Sequence, residues 1–256
     1  MRRRMQVLFL AVLFAAGSTA GGGTVVPDSS ILPAQLEKSV SSKNAKPGEV
    51  ITARIMQAVP LLGDAEIPAG SKMIGKVTAV QSASGKDGGS ISFRFDTLRL
   101  AHENIQITVR LRAIASDAEV RQAQLPRNPD PSIPENAWTT VQIGGDVVYR
   151  GGGPVRNRSG VVGKPVLNGV LVRLDSNPGR GCRHDGTGER AQAMWLFSSD
   201  ACGAYGMPRV TIAPVDPSAT AGTAVEITLR AADGNVNLRN GTGLLLRVSA
   251  PENAGP

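Results

Sequence analysis

Aromatic side chains, cysteine and histidine are all scarce in this sequence. Of 256 residues, five are Phe, two Trp, two Tyr, two Cys and two His. So few rings, set far apart, argue against the successive stacking platforms that hold single-stranded nucleic acid. Zinc sites draw four ligands from Cys, His and carboxylates, and the segment Cys182-Arg183-His184-Asp185 offers too few. No apolar run reaches the ~18–20 residues that a membrane-spanning helix needs. The sequences GxSxG, SxxK and GxGxxG do not occur, so the usual local signatures of a serine nucleophile or a dinucleotide loop are missing. Charge is modest too. Lys and Arg number 28 against 21 acids, a net of +7, with 41% apolar residues, a balance that excludes wholesale disorder.

The first twenty residues form an address. Arg2, Arg3 and Arg4 precede an apolar stretch from Met5 to Ala16, and Ser18-Thr19-Ala20 supplies small residues at a cleavage position. The expectation is a cleaved export signal over residues 1–20. Its removal takes away three arginines and no acid, leaving +4 (7 − 3) on 236 residues (256 − 20). That charge, without a basic tract, keeps a protein in solution and is not a nucleic-acid footprint. Export also places Cys182 and Cys202 where disulfides persist. A bridge between them, closing a loop of 20 residues, is worth about 3 kcal/mol on the chain-entropy argument.

Beyond residue 20 the pattern is that of strands. Residues 21–30 read as a flexible leader, residues 31–125 as a β-rich region, and residues 126–136, with Pro126, Pro129, Pro131 and Pro134, as a linker or long loop. Residues 137–250 read as a second β-rich region holding the disulfide, with or without a core of its own, and residues 251–256 as a tail. Ser90–Leu100 and Ile105–Arg112 alternate apolar and polar residues, the signature of half-buried antiparallel strands. Val50–Ile55, Met73–Val80, Gln192–Phe197 and Leu244–Val248 are also expected as strands. Ser116-Asp117-Ala118-Glu119 predicts a capped helix running to Gln124. The fold class that follows is all-β, an antiparallel barrel or sandwich, with at most one short helix and a Pro-rich loop. One internal echo stands out: Gly70–Val77 aligns without gaps on Gly241–Val248, each a Gly-Ser/Thr turn feeding a strand.

Motifs that look chemical have plainer explanations. Gly70–Lys76 has the GxxxxGK spacing of a phosphate loop, but Val77 stands where Ser or Thr should bind magnesium, and the segment alternates as a strand. Asp233, Asn235 and Asn237 imitate the start of a calcium loop, yet Leu238 and Leu244 occupy the positions that require Gly and Glu. The sequence therefore predicts no catalytic, cofactor-binding or metal-binding residues, and Cys182 and Cys202 as a structural disulfide. Two competing readings keep named residues. An exported hydrolase would use loop carboxylates such as Asp146, Asp185 or Asp200, and a glycan-binding module would stack sugars on Trp138 and Trp195.

Residues 67–77, Ile-Pro-Ala-Gly-Ser-Lys-Met-Ile-Gly-Lys-Val, followed by Ser90–Leu98, resemble the β-barrel domain of TrbI-like proteins of type IV secretion channels. The later segment Trp195–Cys202 is similar to one found in uncharacterised exported β-rich proteins of acidobacteria. TrbI-like proteins carry an uncleaved membrane helix and a Pro-rich stalk, whereas here a cleavable signal leads and the Pro-rich segment follows the signature. What the resemblance implies is a barrel-like domain at the cell envelope. The expected function is non-enzymatic: an exported structural or protein-docking domain in the periplasm, the envelope or the extracellular space. Its partners would be envelope proteins, not nucleic acid, and it would keep no stable transmembrane segment after cleavage.

Overall fold

A computed structural model describes residues 24–127, 131–134, 138–149, 151–174, 182, 190–214 and 225–249. Residues 1–20, expected as an export signal, the tail 251–256 and the segment with His184 and Asp185 lie outside the described residues. The described residues are all-β with one short helix, as the alternation predicts. Its strands are β1 (Ile31–Leu36), β2 (Val40–Ser41), β3 (Val50–Ile55), β4 (Val59–Pro60), β5 (Glu66–Ile67), β6 (Lys72–Gln81), β7 (Ser90–Arg99), β8 (Asn104–Gln106) and β9 (Val109–Ala115). Helix α1 (Asp117–Ala123) follows. Then come β10 (Thr139–Val141), β11 (Val147–Tyr149), β12 (Val155–Asn157), β13 (Gly160–Val166), β14 (Gly169–Val172) and β15 (Gln192–Ala193). The last are β16 (Gly203–Tyr205), β17 (Val210–Ile212), β18 (Ile227–Ala231), β19 (Asn237–Leu238) and β20 (Gly243–Val248).

Ten strands form the main sheet, in the order β16-β9-β20-β1-β3-β6-β7-β18-β17, with β8 also on β7. Pairing is antiparallel except between β16 and β9. The regions on either side of the Pro-rich segment are therefore not separate sheets, because β16, β17, β18 and β20 are woven among the earlier strands. The edge strands β16 and β17 are consecutive in the chain and only residues 206–209 separate them, so the sheet curls until its two edges meet. No ladder joins them, which leaves a curled sheet rather than a closed barrel. A second sheet is a meander, β10 to β15 in chain order.

Two apolar cores lie on opposite faces of β1, β9 and β20. Leu32, Ala34, Ile114, Leu244 and Leu246 face the core inside the curl, with Phe93 and Met73. Ile31, Ala113, Ala115 and Leu245 face the other, beneath α1, the meander valines Val148, Val155, Val170 and Val172, and Trp195 and Phe197. Leu244, Leu245 and Leu246 are all fully buried. Three successive leucines can be buried in a strand only when both its faces are covered. Each then contributes on the order of 1.5–3 kcal/mol.

β1 is a strand where a flexible leader was expected to end at Ser30. The leader's last residues belong to the fold: Ser30 is fully buried, and Ser29 N and Val248 N donate to Val248 O and Ser30 O, at 3.0 and 2.9 Å, extending the β1–β20 ladder. Pro33 argues against a central strand, but its position makes it harmless. Met56 N donates to Pro33 O at 3.0 Å. The reciprocal bond, which proline cannot make, falls one residue beyond the end of β3, where the ladder stops anyway.

Three further differences have physical reasons. Ile105–Arg112 is two strands, because the chain changes partner from β7 to β20 at Ile107-Thr108 while its burial alternation continues. Val166–Leu174, whose apolar alternation reads as a single run, contains a hairpin turn at Leu167-Asn168, where Asn168 takes a left-handed φ of 62°. Gln192–Phe197 is strand only at 192–193, after which Phe197 N donates back to Met194 O at 2.8 Å and Trp195 adopts φ 51°. In α1, Ser116 Oγ accepts from Glu119 N at 3.2 Å as the capping pattern predicts, while Ser116 N is spent on Tyr205 O of β16 at 3.0 Å.

The internal echo has a geometric basis. Gly70 and Gly241 both have φ 91°, and Ser71 N and Thr242 N each donate to the carbonyl three residues back, Pro68 O and Arg239 O, at 3.2 and 3.0 Å. A positive φ at the third turn position is what type II turns demand and glycine supplies. Gly75, by contrast, sits at a register shift in β6, where a Cβ would come within 1.8 Å of Arg94 O. The GxxxxGK glycine makes room for a neighbouring strand, not for a phosphate.

Candidate functional site

The Cys182–Cys202 disulfide forms, with Cα atoms 6.1 Å apart. It anchors the segment before β16 beside β9, and Cys202 N donates to Tyr205 Oη at 3.0 Å. Both cysteines are half-buried. Such a bond fits an oxidising, exported environment. Among the described residues no helix is long and apolar enough to cross a membrane, and no three His, Cys, Asp or Glu side chains gather as a metal site would require.

The loop carboxylates are built into turns. Asp146 is buried, and its Oδ2 accepts from Ser199 N at 2.7 Å. Its backbone O accepts from Gln142 N at 2.7 Å, closing the turn between β10 and β11. Asp200 is exposed and accepts from Ser198 Oγ at 2.5 Å. The two turns are stitched together by Ile143 N to Leu196 O at 2.7 Å and Ser198 N to Ile143 O at 2.9 Å. Gly144 lies so close beneath Ser198 that a Cβ would sit 1.9 Å from its Oγ. Both carboxylates thus end on neighbouring loops, as a hydrolase would need, but their oxygens hold the turn junction. Asp185 lies outside the described residues.

The tryptophans separate. Trp195 is 4% exposed within the second core, so it offers no sugar-stacking face. Trp138 is half-buried beside β10 and donates Nε1–H to Ile133 O at 3.1 Å. Asn235, the middle residue of the calcium-like triplet, is a structural cross-link: its Oδ1 accepts from Ser42 Oγ and Ala83 N, both at 3.0 Å. Asp233 pairs with Arg209.

Sequence reasoning gave no sign of two shallow grooves that meet at Asn237 and Arg239. One, of about 400 Å³, runs along β2 and is lined by Ser39, Ser41, Asn44 and Glu49. The other, of about 360 Å³, lies between α1 and the β16–β17 connection, against Asp117, Met207 and Thr242. Their polar groups are largely committed to one another. Ser41 Oγ donates to Asn237 Oδ1 at 2.6 Å, and Asn237 Nδ2 to Asn235 O at 3.2 Å. The hydrogen bond from Arg121 holds the Asp117 carboxyl below the usual carboxylate range, and the Arg121 and Arg239 charges act in the same direction against desolvation. A carboxylate kept ionised in this way is a poor proton donor.

Gln57 was also invisible in the sequence. It is fully buried, its Oε1 accepts from Trp195 N at 2.6 Å and Val170 N at 3.2 Å, and its Nε2 donates to Val170 O at 2.9 Å. One amide therefore ties the segment after β3 to the meander and to the Trp195 turn. Nothing local marks it, since the partners lie more than a hundred residues away.

Searches against family models, curated proteins and solved structures found no match.

Proposed function

We propose that this chain is an exported, non-enzymatic protein of the cell envelope, a structural or docking β-domain with a barrel-like part akin to that of TrbI-like secretion proteins. The observation that carries the reading is the use to which the candidate chemical groups are put. Asp146, Asp200, Asn235 and Gln57 spend their polar atoms on backbone and side-chain bonds that hold turns and layers together. A disulfide-stapled, curled sheet suits the periplasm or cell surface, and the apparent signal at residues 1–20 supplies the route there. The sheet's own edges are strands of three residues that meet each other, so docking would use a face or a loop cluster rather than a long edge. Of the two competing readings, the glycan module loses Trp195 as a platform, and the hydrolase would have to release Asp146 from a buried turn.

Cell fractionation with mild crosslinking, recovery of the tagged protein and mass spectrometry test the proposal. A reproducible set of envelope proteins or membranes in the recovered fraction supports it. A freely soluble protein that recovers nothing, or a carboxylate-dependent hydrolysis lost in Asp146→Asn while folding is retained, overturns it.

A further inference from the structure

Among the described residues, the face of the meander turned away from the second core lies open at Tyr149, Arg156, Val161 and Lys164, whereas farther along the same face Leu171 and Ala193 pack against the first core. Val148 and Val155 point into the second core, so by the pleat their neighbours Val147, Tyr149 and Arg156 point the other way. Cross-strand register extends the row: Val141 lies opposite Val147, Val147 opposite Arg156, and Arg156 opposite Val161. Tyr149 is 42% and Val161 58% exposed, and Arg156 and Lys164 are exposed with them. No acidic residue belongs to β10–β14.

The segment that forms most of this sheet is also basic in sequence. Residues 138–174 hold five basic residues against one acid, Asp146, a net of +4. Residues 21–256 carry +4 in all (7 − 3), so everything outside this sheet sums to zero. The lone acid is buried in the turn between β10 and β11, where it accepts from Ser199 N. An aliphatic and aromatic strip seamed with arginine and lysine, on a sheet face that neither groove reaches, is the pattern of a surface that settles into an anionic lipid headgroup layer. Tyr and the stems of Arg and Lys favour that depth, with their polar ends toward phosphate.

We propose that this face of the meander docks on an anionic membrane surface, with Arg156 and Lys164 at the headgroups and Tyr149 and Val161 in the outer acyl boundary. The inference rests on the reading of the chain as an envelope docking domain and names the partner of that docking. Its occupant is lipid rather than an acidic protein, because the apolar and basic side chains Val141, Val147, Arg156 and Val161 form one row across the strands, a shape that suits a planar headgroup layer.

The test is co-sedimentation of the intact protein, purified from an exporting host with its disulfide formed, with phosphatidylglycerol-containing and pure phosphatidylcholine vesicles at low and high salt. Binding to the anionic vesicles that weakens in salt is expected. Arg156→Gln should lower the partition coefficient about fivefold, the worth of one basic residue near an anionic surface, and Val161→Asp should remove binding. Leu62→Asp, at an exposed position on the β4–β5 hairpin, should leave it unchanged. Circular dichroism of each variant separates lost binding from lost folding. No binding by the folded parent, or equal binding by Val161→Asp, overturns the inference. If crosslinking then recovers envelope proteins through Tyr149 or Val161, the docking reading stands and the partner is an acidic protein; if neither lipid nor protein is recovered, both fall.

Discussion

Replacing Gln57 with leucine should destabilise the fold by several kcal/mol, about 2–6. Leucine nearly matches the glutamine in volume, so no large cavity opens, but the amide's bonds disappear. Val170 O keeps Met194 N as a donor at 3.1 Å, whereas the N–H groups of Val170 and Trp195 lose the acceptor they share. Two buried donors left unsatisfied cost roughly 1–3 kcal/mol each, or about 2–6 kcal/mol together, against a total stability on the order of 5–15 kcal/mol. For a domain of this size that lowers Tm by roughly 5–20 °C. The assay is thermal unfolding of the oxidised protein followed by circular dichroism, with hydrogen exchange at the Trp195 and Val170 amides as the local readout. Gln57→Glu gives the matching control. Its buried carboxyl should have a pKa raised above the unfolded value, so that variant should gain stability as pH falls and lose it as pH rises through the unfolded pKa and above. A Gln57→Leu protein melting within about 2 °C of the parent, well inside the expected shift, with unchanged protection at both amides, would refute the view of Gln57 as the tie between layers.

Two further expectations follow from the same structure. Reduction of the Cys182–Cys202 bond, or the double change to serine, should destabilise the fold by about 3 kcal/mol and raise hydrogen exchange first at β16, which the bond anchors to β9; unaltered melting on complete reduction, verified by thiol titration, would show the bond to be idle. Asp117 has a lowered pKa because of its bond to Arg121, so its contribution is present above the unfolded carboxylate pKa and fades as pH falls through the folded one. The stability difference between the parent and Asp117→Asn should accordingly shrink on acidification, and a difference independent of pH in equilibrium denaturation would contradict that assignment.

How much could be read ahead of the structure depended on the range of the forces involved. Burial alternation in Ser90–Arg99 and Gly243–Val248, the turn at Pro68–Ser71 and the Ser116 cap are short-range, and each was legible. β1 was not, because Ile31–Leu36 is buried on both faces and contains Pro33; a strand covered on both sides has no period to detect, and the proline is excused only by where β3 ends. The Trp195 turn escaped for a related reason. Its apolar residues read equally well as strand, and what bends them is the side chain of Gln57. The cysteine pair could be matched from export and number alone, whereas the grooves at Asn237 and Arg239 arise from elements nearly two hundred residues apart. The meander's outward face was present in the sequence as a local excess of arginine, but only the register shows that its valines, Tyr149 and Arg156 share a side.

The pairing of β1 with β20 sets an order of events during biosynthesis. Leu32 and Ala34 lie opposite Leu246 and Leu244, so synthesis must pass residue 246 before the central seam can zip. Contacts of such long sequence separation form slowly. On the proposed export route, that slowness keeps β1 pliable in transit, and the seam closes only once β20 has crossed.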